Sequence, residues 1–313
     1  MERAAVAEST LRTIGNTPLV RLGGILPQDC AEIIVKLEAF NPTGSYKDRM
    51  ALAMIEGAER RGELRPGMTV VEYTGGSTGS SLAFVCAVKG YRLRIVTSDA
   101  FAPEKLATMR VFGAELTIFP SEDGQIRPEL IRRMIEEARR IAETNGAYWT
   151  NQFHNTDSID GYRHIGEELL TQADGPIDAF CAGVGTAGML VGVSQALRSA
   201  GSAARIVALE PGSAAVISTG QSGAHRVEGL GVGFVPPLLI PESYDEARGI
   251  DEREARQMAR RLAREEGIFA GTSTGLNVVG ALQLARALGP GRTVATVACD
   301  SGLKYLHGDL FAA

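Results

Sequence analysis

Lys47 is the residue best placed for chemistry, because it lies between a Pro/Gly turn and an apolar segment. The turn occupies residues 41–46 (NPTGSY), and residues 50–55 (MALAMI) have the apolar character of a buried helix. A lysine amine moved out of bulk water has a lowered pKa, which makes it a useful nucleophile or Schiff-base former. The segment therefore predicts an amine presented to an interior cleft. The simpler alternative is a solvated lysine on the first turn of a helix.

Glycine-rich loops with hydroxyl side chains follow several strand-like segments. Glycine lets a backbone approach an anion closely, and amides at a helix N-terminus point at it. A single loop of this kind is weak support for a site, since tight strand-to-helix turns need glycine anyway. Together the loops favour a polar, partly anionic ligand. They are residues 74–79 (TGGSTG), 183–188 (GVGTAG), 229–233 (GLGVG) and 271–275 (GTSTG).

The loop at 183–188 also matches the dinucleotide-binding pattern G-x-G-x-x-G. It lies between a strand-like and a helix-like segment, and Glu210 ends the next strand at about the distance expected of a ribose contact. By this pattern alone the chain would be an NAD-binding oxidoreductase. That alternative leaves Lys47 and the other glycine-rich loops unexplained, so it is the rival hypothesis from another enzyme class.

The elements that must position these residues alternate along most of the chain. This alternation predicts an α/β fold with mostly parallel sheets, whose ligands lie at the carboxyl ends of the strands. Asp251, with Glu254 three positions later, is typical of a helix start, and that helix is predicted to end at Gly267. The other predicted helices are 48–60, 80–88, 104–112, 128–145, 188–199 and 275–288. The predicted strands are 32–37, 69–73, 94–97, 115–119, 177–182, 205–209, 268–270 and 294–298.

Composition and charge restrict the classes of function. The 313 residues are 44% hydrophobic and carry a net charge of -5, which allows a large buried core and argues against nucleic acid as a partner. No apolar run is long enough to cross a bilayer, and residues 1–13 lack the apolar region of a secretory signal. The cysteines are far apart and no histidine stands at ligand spacing from them. We therefore expect a cytoplasmic protein with buried thiols and no metal site.

Several segments resemble, in the same order, those of the cysteine synthase branch of the pyridoxal-phosphate (PLP) enzymes of fold type II. That branch includes O-acetylserine sulfhydrylases and the catalytic core of cystathionine β-synthases. The resemblance runs almost end to end and implies PLP as the cofactor. It also implies a tryptophan synthase β-like fold, with two lobes that are each a mostly parallel twisted sheet flanked by helices. The segments are 15–22 (GNTPLVRL), 41–49 (NPTGSYKDR), 152–155 (QFHN), 229–234 (GLGVGF) and 300–306 (DSGLKYL).

The resemblance implies a role for each matching residue. Lys47 is the catalytic lysine, which would form a Schiff base with PLP and later move the substrate α-proton. Ser77 would lie beside the phenolic oxygen of the cofactor, and Ser273 would face its pyridine nitrogen. The residues implied around the phosphate are Gly183, Gly185, Thr186, Ala187 and Gly188. The residues implied for substrate binding, mostly around the carboxylate, are Thr74, Gly75, Gly76, Thr78, Gln152 and Gly229.

Ser273 bears on the kind of reaction that the resemblance implies. A hydroxyl does not stabilise a protonated pyridinium as an aspartate would, so expulsion of a β-leaving group is favoured over transamination. The implied reaction is β-replacement on a β-substituted L-serine through an aminoacrylate intermediate, with O-acetylserine plus sulfide giving L-cysteine. The alternatives are β-elimination without replacement (cysteine desulfhydrase or serine/threonine dehydratase), a specialised β-substitution with another nucleophile, and a non-catalytic ligand-binding homologue.

Several residues depart from the family pattern near the implied site. Two interpretations have equal weight: drift within cysteine synthases, or a changed amino-acid substrate or nucleophile. The departures are Ser77 in place of asparagine, Gly75 in place of serine, Ala187 in place of glycine, Met189 in place of threonine, and an unusually bulky Tyr46.

The resemblance also implies how the chain is divided and what it meets. Residues 40–146 would form a smaller, mobile lobe that carries the PLP lysine and the loop for the substrate carboxylate. Residues 1–39 and 147–313 would form a larger lobe that carries the phosphate loop. Substrate binding would close the smaller lobe. The implied partners are a small amino-acid substrate and a second copy of the chain in a homodimer, with no nucleic acid and no membrane.

Overall fold

Two twisted sheets flanked by helices carry the fold in the computed structural model, which describes residues 6–124 and 127–312. This arrangement confirms the predicted α/β fold with two mostly parallel sheets. The strands are β1 (Leu19–Arg21), β2 (Glu32–Leu37), β3 (Thr69–Tyr73), β4 (Arg92–Ser98), β5 (Glu115–Phe119), β6 (Tyr148–Trp149), β7 (Ala179–Gly183), β8 (Arg205–Pro211), β9 (Glu246–Ile250) and β10 (Thr293–Ala298). The helices are α1 (Lys47–Arg61), α2 (Ser77–Lys89), α3 (Pro103–Val111), α4 (Pro128–Asn145), α5 (Asp157–Gln172), α6 (Gly188–Ser199), α7 (Val216–Thr219), α8 (Glu252–Arg261) and α9 (Thr272–Leu288).

The larger sheet has the strand order β1-β2-β10-β7-β8-β9, in which β1 alone runs antiparallel to its neighbour. Its central strands are apolar on both faces, as expected for a parallel sheet covered by helices on both sides. Phe180, Val207 and Val294 are fully buried there. The packed strands place the loop at 183–188 and the segment after β10 at the same edge of the sheet.

The smaller sheet has the order β5-β4-β3-β6, and all its strands are parallel. Its central strand β3 ends at Tyr73, directly before the loop at 74–76 that leads into α2. The short strand β6 pairs with β3, so this sheet continues past residue 146, where the smaller lobe was expected to end.

Some elements differ from the sequence-based expectation. The strand predicted at 268–270 is wrong: Ala270 forms only an isolated bridge, with Ser301. The sheet position next to β8 is taken by β9, which was not predicted. Helix α5 was also not predicted, although Tyr162, Ile165 and Leu169 have the helical spacing of a buried face and are fully buried.

The start of α8 confirms its predicted cap. The Asp251 carboxylate accepts hydrogen bonds from the amides of Arg253 (2.8 Å) and Glu254 (3.1 Å). The helix continues as a π-helical turn and ends at Gly267, whose φ of 68° lies in the left-handed region that favours glycine.

Candidate functional site

Lys47 begins helix α1 at the carboxyl edge of the larger sheet. The turn before it pairs with the segment after β10: the Tyr46 amide donates to the Cys299 carbonyl (3.0 Å) and the Ser301 amide to the Gly44 carbonyl (2.9 Å). Only 9% of Lys47 is exposed. The buried position predicted for Lys47 is therefore confirmed, because main-chain hydrogen bonds hold the turn against the segment after β10.

The amine of Lys47 lies in an apolar and aromatic environment. Burial lowers the pKa of Lys47 to about 8, although nearby Cys299 and Asp300 act in the opposite direction. Its Nζ lies 4.8 Å from the ring centroid of Tyr46 and 5.9 Å from that of Tyr162. Among the described residues Nζ has no hydrogen-bond partner. A substantial fraction of this amine is thus neutral and nucleophilic at neutral to mildly alkaline pH.

Tyr46, one of the departures, packs against a second buried tyrosine. Its ring centroid lies 5.3 Å from that of Tyr162, and both side chains are buried. The bulky residue therefore fills space between α1 and α5 and covers the amine of Lys47.

The loop at 183–188 connects β7 to α6 and forms a cradle for an anion. A Cβ on Gly185 would lie 2.2 Å from the Gly229 carbonyl oxygen, so only glycine fits there. In the described chain, the amides of Gly185, Thr186 and Ala187 donate no hydrogen bond to another protein group. These unpaired donors stand at the N-terminus of a buried helix, where anions bind.

Other residues of this loop support its shape. The Gly183 amide donates to Oδ1 of Asn277 (2.7 Å), and a Cβ on Gly188 would lie 2.8 Å from Oγ of Ser158. Ala187 has φ of 71°, which a glycine would adopt more easily. Met189 is buried in the first turn of α6 and offers no hydroxyl donor.

Glu210 does not support the dinucleotide hypothesis. Its buried carboxylate accepts hydrogen bonds from the amides of Ile217 (2.9 Å) and Ser218 (2.7 Å), at the start of α7. The oxygens that would bind a ribose are therefore engaged in holding a helix end.

Ser273 lies in the first turn of α9, whose N-cap is Gly271. It is therefore not the cap residue of this helix. The Ser273 hydroxyl is buried beside the Cys299 thiol. Burial raises the pKa of Cys299 to about 12, while the hydrogen bond with Ser273 and the charge of Lys47 oppose this. Lys47 and Ser273 thus meet around one neutral thiol that the sequence did not single out.

Hydrogen bonds join the loop after β3 and the start of α2 to Gln152. The Thr78 hydroxyl donates to Oε1 of Gln152 (3.0 Å), whose Nε2 donates to the Tyr73 carbonyl (2.9 Å). The Gly76 amide donates to Oγ1 of Thr74 (3.1 Å). Thr74, Thr78 and Gln152 are all buried, so their polar groups converge on one small space.

Gly75, another of the departures, has a close neighbour that the sequence did not reveal. A Cβ at this position would lie 2.1 Å from ring atoms of Phe101. The Phe101 ring therefore occupies the place of a side chain and covers this loop.

Ser77, in place of an asparagine, belongs to a polar cluster that the sequence did not predict. Its hydroxyl donates to Oδ2 of Asp300 (3.1 Å) and accepts from Nζ of Lys304 (3.3 Å). The Tyr305 hydroxyl also donates to Oδ2 of Asp300 (2.8 Å). Oδ1 of Asp300 is buried without a hydrogen-bond partner among the described residues. Asp300, Lys304 and Tyr305 belong to the motif at 300–306, so that motif was the indication of this cluster in the sequence.

Gly229 lies beside the loop at 183–188 and next to an ion pair. Its φ of 81° requires glycine, and its carbonyl oxygen occupies the space beside Gly185. The preceding residue, Glu228, forms an ion pair with buried Lys105 of α3. The loop that carries Gly229 therefore contacts both the loop at 183–188 and α3, the helix that follows β4 of the smaller sheet.

Other kinds of site find no support in the described ranges. No group of three or more histidine, cysteine, aspartate or glutamate side chains there could hold a metal ion. The cysteines are free thiols, and Cys86, Cys181 and Cys299 are buried while Cys30 is half-buried. No described helix is both long and apolar enough to cross a membrane.

Comparisons with known proteins agree with this geometry. The family described as "Pyridoxal-phosphate dependent enzyme" matches residues 10–300. A cysteine synthase of Staphylococcus aureus is 41% identical over 307 residues, which cover 97% of this chain and 97% of that protein. The crystal structure of O-ureido-L-serine synthase has a TM-score of 0.89 at 40% identity, covering 98% of this chain and 96% of that one. Cysteine synthase from Entamoeba histolytica has a TM-score of 0.93 at 33% identity, covering 100% and 93%. The cofactor is accordingly pyridoxal phosphate, and the chain belongs to the family of pyridoxal-phosphate dependent enzymes.

Proposed function

We propose that this enzyme catalyses β-replacement on a β-substituted L-serine, chiefly the reaction of O-acetylserine and sulfide to L-cysteine and acetate. The observation that carries the proposal is Lys47, a buried amine with a lowered pKa that lies, like Ser273, beside Cys299. The 41% identity to cysteine synthase over 97% of the chain supports the choice of substrates.

The residues present fit the cofactor. The glycine cradle at Gly185 and the unpaired amides of 185–187 suit a phosphate at the start of α6. Lys47 would hold the aldehyde carbon and Ser273 would face the pyridine nitrogen. When bound, PLP supplies the electron sink that stabilises charge at the substrate α-carbon. Around the phosphate we assign Gly183, Gly185, Thr186, Ala187 and Gly188.

The chain's own groups would bind the substrate and move its proton. The loop amides and hydroxyls at Thr74, Gly75, Gly76 and Thr78 would hold the substrate carboxylate, with Gln152 opposite and Gly229 at the edge of the site. The neutral Lys47 amine would accept the substrate α-proton, for which its lowered pKa is suited. The Phe101 ring over Gly75 would exclude water from this step.

Ser77 would lie beside the phenolic oxygen of the cofactor, as the asparagine of relatives does. Because the Ser77 proton is directed at Asp300, its oxygen and the Lys304 ammonium are the groups left to face that position. The positive charge of Lys304 would then take the place of an amide donor.

A spectral and chemical test examines the main proposal. The purified protein is expected to be yellow, to lose its visible band on borohydride reduction, and to change its spectrum when O-acetylserine is added. Adding sulfide should restore the spectrum and release cysteine. Lys47→Ala should abolish turnover, while Lys89→Ala, which alters a surface cluster with Glu56 and Glu59, should not. Normal cysteine formation by the Lys47→Ala variant would refute the assigned role.

A second candidate is β-replacement with a different nucleophile. The chain is 40% identical to O-ureido-L-serine synthase, and Ser77, which contacts Asp300 and Lys304, departs from the family pattern. A screen of O-acetylserine, O-phosphoserine, serine and cysteine with sulfide, homocysteine or hydroxyurea distinguishes the two. Faster turnover with hydroxyurea than with sulfide would favour the second candidate, whereas turnover without any nucleophile would favour β-elimination.

We further propose that residues 40–146 act as the mobile lobe, that the enzyme is a homodimer, and that it works in the cytoplasm. The exposed apolar side chains of Phe40 (65%), Leu303 (63%) and Leu306 (53%) support a covered surface near the C-terminal motif. Light scattering after gel filtration tests the dimer. A monomeric mass at working concentration would contradict it.

A further inference from the structure

Glu72 is a buried carboxylate surrounded by hydrogen-bond donors. It lies in β3, and 1% of the residue is exposed. Oε1 accepts from the Tyr73 amide (2.9 Å) and from Nε1 of Trp149 (3.4 Å). Oε2 accepts from the Thr150 hydroxyl (2.5 Å) and from the Gln152 amide (3.0 Å). The carboxylate therefore binds the chain from Trp149 to Gln152 to the end of β3.

This set of partners favours the ionised form of Glu72. An ionised carboxylate only accepts hydrogen bonds, and its neighbours here are amide, indole and hydroxyl donors. The Thr150 hydroxyl is the one partner that can also accept, so a protonated carboxyl keeps its contacts only if that hydrogen bond reverses. A glutamine amide would release at least one N–H donor. Within the described ranges no cation pairs with Glu72, so hydrogen bonds alone compensate its charge.

The segment that Glu72 holds leads directly to the substrate loop. The Gln152 amide is fixed by Glu72, and the Gln152 side chain is fixed between the Tyr73 carbonyl and the Thr78 hydroxyl. The Gln152 side chain therefore reaches Thr78 only while its own backbone is held in place.

We propose that Glu72 is a positioning residue for the substrate-carboxylate site, acting through Gln152 and Thr78. The inference rests on the proposed function, because it takes Gln152 and Thr78 as contacts of the substrate carboxylate. Glu72 itself touches neither substrate nor cofactor in this assignment. Its loss should weaken substrate binding without displacing Lys47 or the phosphate loop.

The electrostatics of the site supply a way to observe Glu72. Burial raises the pKa of Glu72 to about 7, against the opposing effect of its hydrogen bonds. The titratable neighbour that interacts with it is Tyr73, whose pKa burial also raises, so that phenol stays neutral. Arg139 lies farther out, 5.8 Å from the ring centroid of Trp149. Glu72 is therefore the group expected to titrate against the indole near neutral pH.

Trp149 is the single tryptophan of the chain and reports on Glu72 directly. In the holoenzyme its fluorescence should change as the pH falls, with a midpoint near about 7. The Glu72→Gln variant should lack this transition. A transition that persists in Glu72→Gln would overturn the assignment of the indole contact to Glu72.

Kinetics then separate positioning from a merely structural effect. Glu72→Gln should raise the KM for O-acetylserine by about tenfold, with kcat changed by less than about threefold. PLP content should be unchanged. Glu115→Gln is the matched control, because that glutamate stands on β5 of the same sheet with a side chain that is 73% exposed. An unchanged KM in Glu72→Gln, or an equal loss in both variants, would overturn the proposal.

Thr150→Val is a second variant for the fluorescence test, to be used if Glu72→Gln does not fold. This substitution removes one donor to Glu72 and should move the Trp149 midpoint upward by about one pH unit. An unmoved midpoint would contradict the inference. If the wild type does not react with O-acetylserine, the proposed function fails while the Trp149 titration still tests Glu72.

Discussion

At the scale of single residues, the proposed chemistry depends on an amine that is buried without a compensating anion in direct contact. Lys47 has aromatic neighbours, and Cys299 beside it is a neutral thiol because burial raises its pKa to about 12. Burial disfavours the charged form of a lysine, and the lowered pKa follows.

The lowered pKa predicts how the apoenzyme takes up its cofactor. The rate of PLP binding should rise with pH around a midpoint of about 8, because only the neutral Lys47 amine attacks the aldehyde. An ordinary lysine would give a midpoint near about 10.4. Stopped-flow absorbance measures the rate, and a midpoint near that of a free lysine derivative would contradict the effect of burial.

Ala187 is a residue at which stability can be gained. Its φ of 71° costs a non-glycine residue about 1–2 kcal/mol, part of which glycine's greater unfolded-state entropy would offset. Ala187→Gly is therefore expected to stabilise the protein by about 0.5–1 kcal/mol in urea unfolding. Ala142→Gly, inside α4, should instead destabilise it by about 1 kcal/mol. A loss of stability in Ala187→Gly would contradict the strain assigned to this turn.

At the scale of elements, a buried charge network anchors α1 and thereby Lys47. Arg49 donates two hydrogen bonds to Glu38 and two to Glu168, at 2.6–2.9 Å. Lys36 in β2 also pairs with Glu168, at 2.6 Å. Since Arg49 is two positions after Lys47, this network fixes the first turn of the helix against β2 and α5.

Removal of Arg49 should be costly because it leaves buried charges unpaired. Arg49→Met is expected to destabilise the protein by about 3–5 kcal/mol in urea unfolding. Arg140→Met, which breaks an exposed pair with Glu137, should cost less than about 1 kcal/mol. Similar losses in the two variants would show that the network does not anchor α1.

The same network predicts that the stability of the protein falls as the pH is lowered into the acid range. Burial alone would raise the pKa of Glu168, but hydrogen bonds from Arg49 and Lys36 outweigh it and lower the pKa to about 2. Its contribution is complete above the ordinary pKa of 4.5 and is lost as the pH falls towards 2. Between pH 4.5 and about 2, acidification should lower the free energy of unfolding in urea less in Arg49→Met than in the wild type. Parallel pH profiles would contradict this.

Elements with a strong local pattern could be predicted, and those without one could not. The helices at 128–145 and 188–199 follow from apolar spacing and terminal glycines. Segment 268–270 has strand-like residues, but whether it pairs depends on β9 and Ser301, which are remote in sequence. Helices α2 and α9 begin at Ser77 and Thr272, three residues before the expected starts, so part of each loop is helical.

At the scale of the whole molecule, the proposed lobes meet through polar contacts around the cleft. Lys105 of α3 is 2% exposed, pairs with Glu228, and lies 4.4 Å from the ring centroid of Tyr305. Nearby, Nδ1 of His307 lies 2.7 Å from Oε1 of Glu104. These contacts connect α3 with the loop that carries Gly229 and with the C-terminal segment that carries His307.

The Lys105–Glu228 ion pair predicts that the effects of its two single substitutions on the free energy of unfolding are not additive. Glu228→Gln leaves the buried Lys105 ammonium without its partner and should destabilise the protein by about 3 kcal/mol. The double variant Lys105→Met/Glu228→Gln removes both charges and should lose less than Glu228→Gln alone. Urea unfolding of the single and double variants forms the cycle. Additive losses would show that the pair is not coupled across the cleft.

Short-range patterns were sufficient for the α/β fold, the buried position of the Lys47 segment and the glycine-rich loops, because a turn, a helix period or a strand run is encoded by adjacent residues. The surroundings of the site depend on residues far apart in the chain. Ser77 and Asp300 are 223 positions apart, and Gln152 meets Glu72 across 80 positions. Phe101 over Gly75 and Glu210 at the start of α7 likewise follow from packing that has no local period. Tertiary structure alone decided these contacts, since burial and hydrogen-bond geometry depend on which strands lie side by side.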